Sequence, residues 1–150
     1  MKNVFDNASV AVVFAARTQS AGRNSSGSIF FDGNIIYSYG RHFPIAKIVG
    51  DTVLITTRKN SVTTARHVSH VRDAFRSTTL QTIYVEDVLA AGINEITANV
   101  KVMLDSIEDS KAKASRARKY KEFHERDRSA KSVNMYNYQT FIANIVANAA

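Results

Sequence analysis

Two tight turns between runs of β-branched and aromatic residues constrain the fold more than any other feature of the chain. The turn 32–34 (Asp-Gly-Asn) separates the apolar runs 29–31 and 35–37, and its residues tolerate the positive φ of a tight reversal. A second turn at 50–51 (Gly-Asp) separates two further apolar runs in the same way. Four short antiparallel strands are therefore predicted. Because such a sheet cannot hide both faces, helices must cover one of them, which predicts an α+β fold.

The N-terminal segment 8–16 is apolar enough to be either a secretory signal or a buried helix. Asp6 and Asn7 interrupt the basic region that a signal peptide would need, and Arg17 follows the apolar run directly. The same residues suit a helix N-cap and a solvated helix end. We therefore expect a buried N-terminal helix over residues 7–19.

A second helix is predicted from Ser61, a suitable N-cap, to Phe75. Apolar residues recur at helical spacing along it and form the expected buried stripe. The stripe comprises Ala65, Val68, Val71 and Phe75, whereas Arg66, His70 and Asp73 are expected on the opposite face. Residues 80–84 form either a short strand or an extended connection.

The C-terminal half of the chain has helical periodicity. Apolar residues recur every three or four positions from Ile96 to Ile107, which predicts a long helix with a coiled-coil-like seam. A second stripe from Tyr138 to Val146 predicts a C-terminal helix that docks on its own chain or on a neighbouring copy. An α+β domain over residues 1–80 and a helical extension over residues 81–150 are the expected organisation.

The formal charge of +7 is unevenly distributed along the chain. Residues 1–110 carry 11 basic and 10 acidic side chains, a net of +1, whereas residues 111–131 carry 9 basic and 3 acidic ones, a net of +6. A nearly neutral body with one basic segment indicates an anionic partner. The absence of cysteine excludes disulfides and thiolate zinc sites, and no run approaches the ~20 apolar residues of a membrane span.

Two groups of residues are predicted to contact phosphates. The start of the predicted second helix offers unpaired N–H groups and a partial positive charge, and basic or hydroxyl side chains surround it. These are Arg58, Lys59, Thr63 and Arg66, with Arg41 added from the sheet. The second group lies on a long basic helix and comprises Lys111, Lys113, Arg116, Arg118, Lys119 and Lys121. Ordinary capping by Ser61, and a solvated helix with local ion pairs, are the competing interpretations.

Tyr37 and Tyr39 alternate onto one face of their predicted strand, close to Arg41. They would form either a platform for base stacking or part of the core. Aromatic residues on strands usually pack, so the core interpretation is favoured.

The histidines suggest two kinds of chemistry. His42 and His67 would act as acid and base in a metal-free phosphodiester cleavage, provided that they meet. His67 and His70 stand at i and i+3, a spacing compatible with metal ligands, but only Asp73 follows as a further ligand. No metal and no cofactor are therefore expected.

Two distinctive runs lie between Ser28 and Phe75. The first is Tyr-Ser-Tyr-Gly-x-His-Phe-x-Ile-Ala at 37–46, and the second is Ser-x-Thr-Thr-x-x-His at 61–67. With the Asp-Gly turn and the pieces Ala-Arg-Thr-Gln and Ala-Gly-Arg-Asn that precede the sheet, this stretch resembles a family of small, uncharacterised proteins encoded by tailed bacteriophages. The resemblance covers about half of the chain. It implies a phage gene product acting in the cytoplasm of the bacterial host, and it implies no reaction.

The leading interpretation is a non-enzymatic protein that binds nucleic acid through phosphate contacts with little base selectivity. One alternative is an interaction module that self-associates, or binds a host protein, through the helices containing Ile96–Ile107 and Tyr138–Val146. Another is a pocket for a small nucleotide that uses Arg41, His42 and the helix start at Ser61. Catalysis ranks last, because the sequence has no evident nucleophile–base pair or acidic metal cluster.

Overall fold

The computed structural model describes residues 2–117 and 119–149. The chain divides into two compact units, Met1–Leu89 and Ala90–Ala150. The first unit contains a sheet and two helices, and the second contains two long helices. The predicted α+β class is confirmed.

The first unit is built on a six-stranded mixed sheet whose strands lie side by side in the order in which they occur along the chain. Both predicted hairpins are present, and Gly33 and Gly50 take the positive φ (62° and 60°) that their turns require. The strands are β1 (Ala21–Arg23), β2 (Ile29–Asp32), β3 (Ile35–Ser38), β4 (Pro44–Val49), β5 (Thr52–Thr56) and β6 (Gln81–Val85).

The prediction of a four-stranded antiparallel sheet is wrong at both ends of the sheet. β1 lies in a segment whose glycine, serine and asparagine content is typical of a loop, yet it pairs antiparallel with β2. A Cβ atom on Gly22 would lie 2.7 Å from Cε1 of Phe31, so glycine is what lets β1 approach the core. β6 pairs parallel with β5, because a helix between them returns the chain to the end of the sheet where β5 began.

Two helices, α1 (Asn7–Ala16) and α2 (Val62–Arg76), pack on one face of this sheet. Both predicted N-caps are confirmed: Asp6 Oδ1 accepts from the N–H of Ser9 at 2.8 Å, and Ser61 Oγ accepts from the N–H of Thr64 at 3.1 Å. α1 ends three residues before the predicted Gln19, since Arg17 takes a left-handed conformation with φ 57°.

The core of the first unit lies between these helices and the sheet. Phe14 of α1 is at its centre, with ring centroids 5.5 Å from Phe31 of β2 and 5.9 Å from Phe75 of α2. The buried face of α2 is rotated from the predicted stripe: Ala65 is exposed, whereas His67 is fully buried. The buried residues of α2 are Thr64, His67, Val71, Ala74 and Phe75.

The second unit is a hairpin of two helices, α3 (Ile93–Arg116) and α4 (Lys121–Ala149), packed against each other. Met103 and Ile107 of α3 and Tyr138 of α4 are buried, so the predicted C-terminal helix docks on its own chain. Asn99 Nδ2 donates to the hydroxyl of Tyr138 at 3.0 Å inside this interface. Among the described residues, no helix has both the length and the apolar character needed to cross a membrane.

The predicted long basic helix over residues 111–131 is interrupted. α3 ends at Arg116 and α4 begins at Lys121, with Tyr120 in a left-handed conformation at φ 65°. Segment 121–131 pairs back onto α3 because Asp127 accepts from Ser110 Oγ at 2.7 Å and Lys131 Nζ donates to the same hydroxyl at 2.8 Å. The basic segment is therefore the turn of a helical hairpin and not a single rod.

Candidate nucleic-acid and anion sites

The end of the helical hairpin gathers most of the excess positive charge. We define the basic tip as the end of α3 from Lys111 onward, the connection to α4, and the start of α4 up to Arg128. Its described cations are Lys111, Lys113, Arg116, Lys119, Lys121, Arg126 and Arg128. Arg118, also predicted to contact phosphate, lies outside the described residues. The predicted phosphate-contacting residues are thus divided between two helices, with Lys113 and Arg116 in α3 and Lys121 in α4.

Few of these cations are neutralised within the described part of the chain. Lys113 Nζ lies 2.9 Å from Asp109 Oδ2, and this hydrogen bond lowers the pKa of Asp109. Deeper in the hairpin Lys131 pairs with Asp127 at 3.1 Å, and the hydrogen bond from Ser110 is the main cause that lowers the pKa of Asp127. No ion pair joins the tip's other six cations to a carboxylate among residues 2–117 and 119–149.

Acidic side chains are nevertheless present at the tip. Glu122 and Glu125 line a shallow depression together with Lys121 and Arg126, at the start of α4. They form no ion pair with those cations among the described residues, and they lower the net charge of this side of the tip. On the α3 side of the tip the acidic neighbour is Asp109, which pairs with Lys113 and whose pKa is also lowered by Arg116.

Two aromatic rings stand in solvent among these cations. Tyr120 is 66% exposed and Phe123 is 61% exposed. Lys119 Nζ lies 5.1 Å from the ring centroid of Tyr120, a cation–π distance, and the ring of Phe123 meets His124 edge-on at 5.5 Å. The tip therefore offers both positive charge and flat apolar surface.

A second cationic feature is a cavity of about 480 Å³ at the start of α2. It receives Arg58 and Lys59 from the loop after β5, and Arg72 from α2. The backbone of Arg58 is fixed because its N–H donates to Thr56 Oγ1 at 3.1 Å. The described residues place no carboxylate in an ion pair with any of the three cations.

The cavity includes only part of the predicted phosphate site. Thr63 and Arg66 are exposed on α2 and do not line it. Arg72 of α2 and Tyr84 of β6 also line the cavity, and neither was predicted to belong to a site. Ala65 and Val68, two of the four residues assigned to the core stripe, line this cavity with Arg72, which follows them at helical spacing. Tyr84 was not assigned because β6 itself was left open as strand or connection.

A chain of hydroxyl groups, exposed at Ser61 and buried from Thr64 onward, connects the cap of α2 to His67. Ser61 Oγ donates to Thr64 Oγ1 at 3.2 Å, Thr64 Oγ1 lies 3.1 Å from Ser38 Oγ, and Ser38 Oγ lies 2.8 Å from His67 Nδ1. The contact between Ser38 and His67 fits either tautomer: the Ser38 hydroxyl donates to Nδ1 with the ring proton on Nε2, or Nδ1–H donates to Ser38 and Nε2 carries no proton. Nε2 is buried and has no hydrogen-bond partner in the described protein.

His67 therefore has a structural role in α2 packing. Burial lowers its pKa, and the nearby His70 contributes in the same direction. The Ser38–His67 distance would suit a nucleophile and its base, but both side chains are fully buried, so no substrate reaches them. His42 is exposed on the loop before β4, where the described contacts do not include His67. The predicted acid–base pair is therefore not assembled.

Arg41 and the two predicted tyrosines do not form a platform. Arg41 Nη2 donates to Asp32 Oδ2 at 2.9 Å, which raises the pKa of Arg41, and its guanidinium lies 5.3 Å from the ring centroid of Tyr37. Tyr37 is buried and stacks on Phe30 at 5.1 Å. Tyr39 has a left-handed conformation (φ 55°), which ends the alternation of side chains along the strand. Its ring centroid lies 5.7 Å from that of His67, so Tyr39 does not share a face with Tyr37.

The described residues contain no group of three His, Cys, Asp or Glu side chains that could hold a metal ion. Comparison of the chain with protein-family models, curated proteins and solved structures found no match.

Proposed function

We propose that the protein binds nucleic acid through phosphate contacts at the basic tip. The observation that carries the proposal is the group of six tip cations that form no ion pair with a carboxylate among the described residues. A cation without an acidic partner gains most from a phosphate, because its binding releases counterions condensed on the nucleic acid. Cations that were paired internally would have to break those pairs first.

Weak base selectivity is part of this proposal. Lysine and arginine side chains that reach phosphates set the position of a protein on the polymer but carry no sequence information. The partner is a polyanion, and the reaction class is binding without catalysis. The resemblance to tailed-phage proteins supports a role inside an infected bacterium, although it concerns the first unit and not the tip.

The proposal is tested by fluorescence anisotropy with a labelled oligonucleotide over a series of NaCl concentrations. With six cations engaged, the logarithm of affinity should fall against the logarithm of salt with a slope of about −4 for a single strand. A variant with Lys111, Arg116, Lys119 and Lys121 changed to Gln should bind more weakly, with the slope reduced by about 3.

The matched control removes the same charge from the first unit, by changing Arg58, Lys59, Arg66 and Arg72 to Gln. It should retain both the affinity and the slope. An affinity independent of salt, or an equal loss in the two variants, would show that the basic tip is not the binding site.

A second candidate function is supported by the cavity at the start of α2. Its volume of about 480 Å³ is in the range of small-molecule sites, and its three cations suit a phosphate while the ring of Tyr84 suits a base. This proposal is a nucleotide-binding site independent of the tip. Native mass spectrometry of the protein mixed with nucleoside mono- and diphosphates should detect a one-to-one complex that Arg58→Gln with Arg72→Gln abolishes. No complex with any nucleotide would rule this function out.

A further inference from the structure

The exposed rings of the basic tip are not explained by phosphate contacts alone. Tyr120 and Phe123 are 66% and 61% exposed, and phosphate binding by lysine and arginine needs no aromatic neighbour. Large rings in water lose the free energy that burial would provide. Their place among unpaired cations therefore calls for a ligand that has flat apolar groups as well as negative charge.

The backbone holds Tyr120 in a conformation that bulky residues rarely adopt. Its φ of 65° lies in the left-handed region, at the point where the chain turns from α3 into α4. Packing of the ring does not offset the cost of this backbone conformation, since most of the Tyr120 surface is in solvent. Phe123 follows in the first turn of α4, so two rings are displayed at the same end of the hairpin.

Charge and ring are also coupled directly at this point. Lys119 Nζ lies 5.1 Å from the centroid of the Tyr120 ring, and this lysine forms no ion pair among the described residues. Lys121 follows immediately in the chain. Lysines therefore flank Tyr120 on both sides in the chain, which supplies cations for the phosphate of a nucleotide whose base stacks on this ring.

We propose that the ligand of the basic tip is single-stranded nucleic acid, with unpaired bases stacked on Tyr120 and Phe123. This inference rests on the proposed function and specifies its substrate. In a duplex the faces of the bases are covered by their neighbours, and only phosphates and base edges are accessible. In a single strand each base exposes a face that can stack on an aromatic ring, largely independent of sequence. The rings therefore add affinity only for the unpaired form.

The test compares a single-stranded thymidine homopolymer with a duplex of equal length at one salt concentration. Changing Tyr120 and Phe123 together to Ala should weaken single-strand binding by at least about 5-fold and leave duplex binding within about 2-fold. The salt slope should not change, because no cation has been removed. Tyr136→Ala is the matched control, since Tyr136 lies on α4 outside the tip and is 67% exposed.

Fluorescence provides an independent readout, because the chain contains no tryptophan. In the variant Phe123→Trp, single-stranded nucleic acid should quench the new emission, whereas the control Tyr136→Trp should be unaffected. Equal losses for single strand and duplex in the Ala variant, or an unquenched Trp at position 123 in the bound state, would overturn the inference. A wild-type protein with no salt-dependent binding to either polymer would instead overturn the proposed function.

Discussion

Ser38 of β3 and His67 of α2 are joined by a buried hydrogen bond of 2.8 Å between Oγ and Nδ1. The bond links the sheet to the helix that covers it, and it ends a chain of hydroxyl groups that begins at the N-cap Ser61. Protonation of His67 would place a proton on both ring nitrogens, and Nε2 has no hydrogen-bond partner among the described residues. It would also leave a buried charge with no acidic partner among the described residues.

This arrangement predicts that the protein loses stability as pH falls below neutral. Burial lowers the pKa of His67 below its ordinary 6.5, so in the window between the two values the unfolded chain binds more protons than the folded one. The free energy of unfolding therefore decreases as pH falls through that window. Urea unfolding between about pH 7.5 and about pH 5 measures it.

The control for this prediction is a His67→Gln variant, which lacks the titrating ring. It should be less stable at neutral pH, but its stability should change less with pH than that of the wild type. A pH profile identical in the wild type and in His67→Gln would show that another group is responsible.

Loss of the hydroxyl at Ser61 should destabilise α2. Ser61→Ala removes the acceptor for the N–H of Thr64 and the donor to Thr64 Oγ1, so we expect a loss of about 1 kcal/mol in the free energy of unfolding. Thr63→Ala alters an exposed residue in the same first turn of α2 and should change the free energy of unfolding by less than about 0.5 kcal/mol. Denaturant titration followed by circular dichroism compares the two, and equal losses would contradict the capping role.

The close approach of β1 to the core predicts a strong effect at Gly22. A Cβ atom there would lie 2.7 Å from the ring of Phe31, so Gly22→Ala should cost about 1–3 kcal/mol of stability through overpacking. In a Phe31→Leu background the same change should cost less, because the ring atom that clashes is gone. Thermal unfolding of the four proteins in this cycle gives the coupling. Additive effects would mean that the ring is not the obstacle.

The hydrogen bond between Asn99 and Tyr138 predicts different outcomes at two tyrosines of α4. Tyr138→Phe removes the hydroxyl that accepts from Asn99 in the buried seam and should cost about 1 kcal/mol. Tyr136→Phe removes a hydroxyl from a ring that is largely in solvent and should be neutral. Urea unfolding monitored by helical circular dichroism distinguishes them, and a neutral Tyr138→Phe would argue against a stabilising bond.

Features set by neighbouring residues were predictable. The Asp-Gly-Asn turn between β2 and β3 depends on positive φ at Gly33, and the N-caps Asp6 and Ser61 depend on bonds three residues away. These contacts span a few positions, so the local pattern contains the information. The apolar stripe from Tyr138 to Val146 likewise indicated that the C-terminal helix docks, but left open whether on its own chain or on a neighbouring copy.

Features set by distant partners were not predictable in the same way. β1 and β6 are strands because of the neighbours they pair with, and their own composition is that of a loop and of an ambiguous extended segment. His67 is buried because Ser38, 29 positions earlier, satisfies its Nδ1. A hydrophobicity pattern treats histidine as polar and places it on the flank of the helix.

The candidate site shows the same division. The excess of cations in residues 111–131 was visible in the sequence, but their distribution over the two arms of a hairpin depends on the pairing of Ser110 with Asp127 and Lys131. The exposure of Tyr120 and Phe123 follows from that turn. α3 and α4 pair with each other within one chain, and Val146 of α4 remains exposed. Self-association through these helices stays a prediction.

The side-by-side order of the six strands has a consequence for synthesis of the protein. Each strand after the first finds its partner in the strand just made, so the first unit can assemble progressively as the chain leaves the ribosome. The exception is β6, which can pair with β5 only after the intervening helix α2 has been synthesised. Low sequence separation between contacting segments favours fast folding and limits the time during which unpaired edges are open to aggregation.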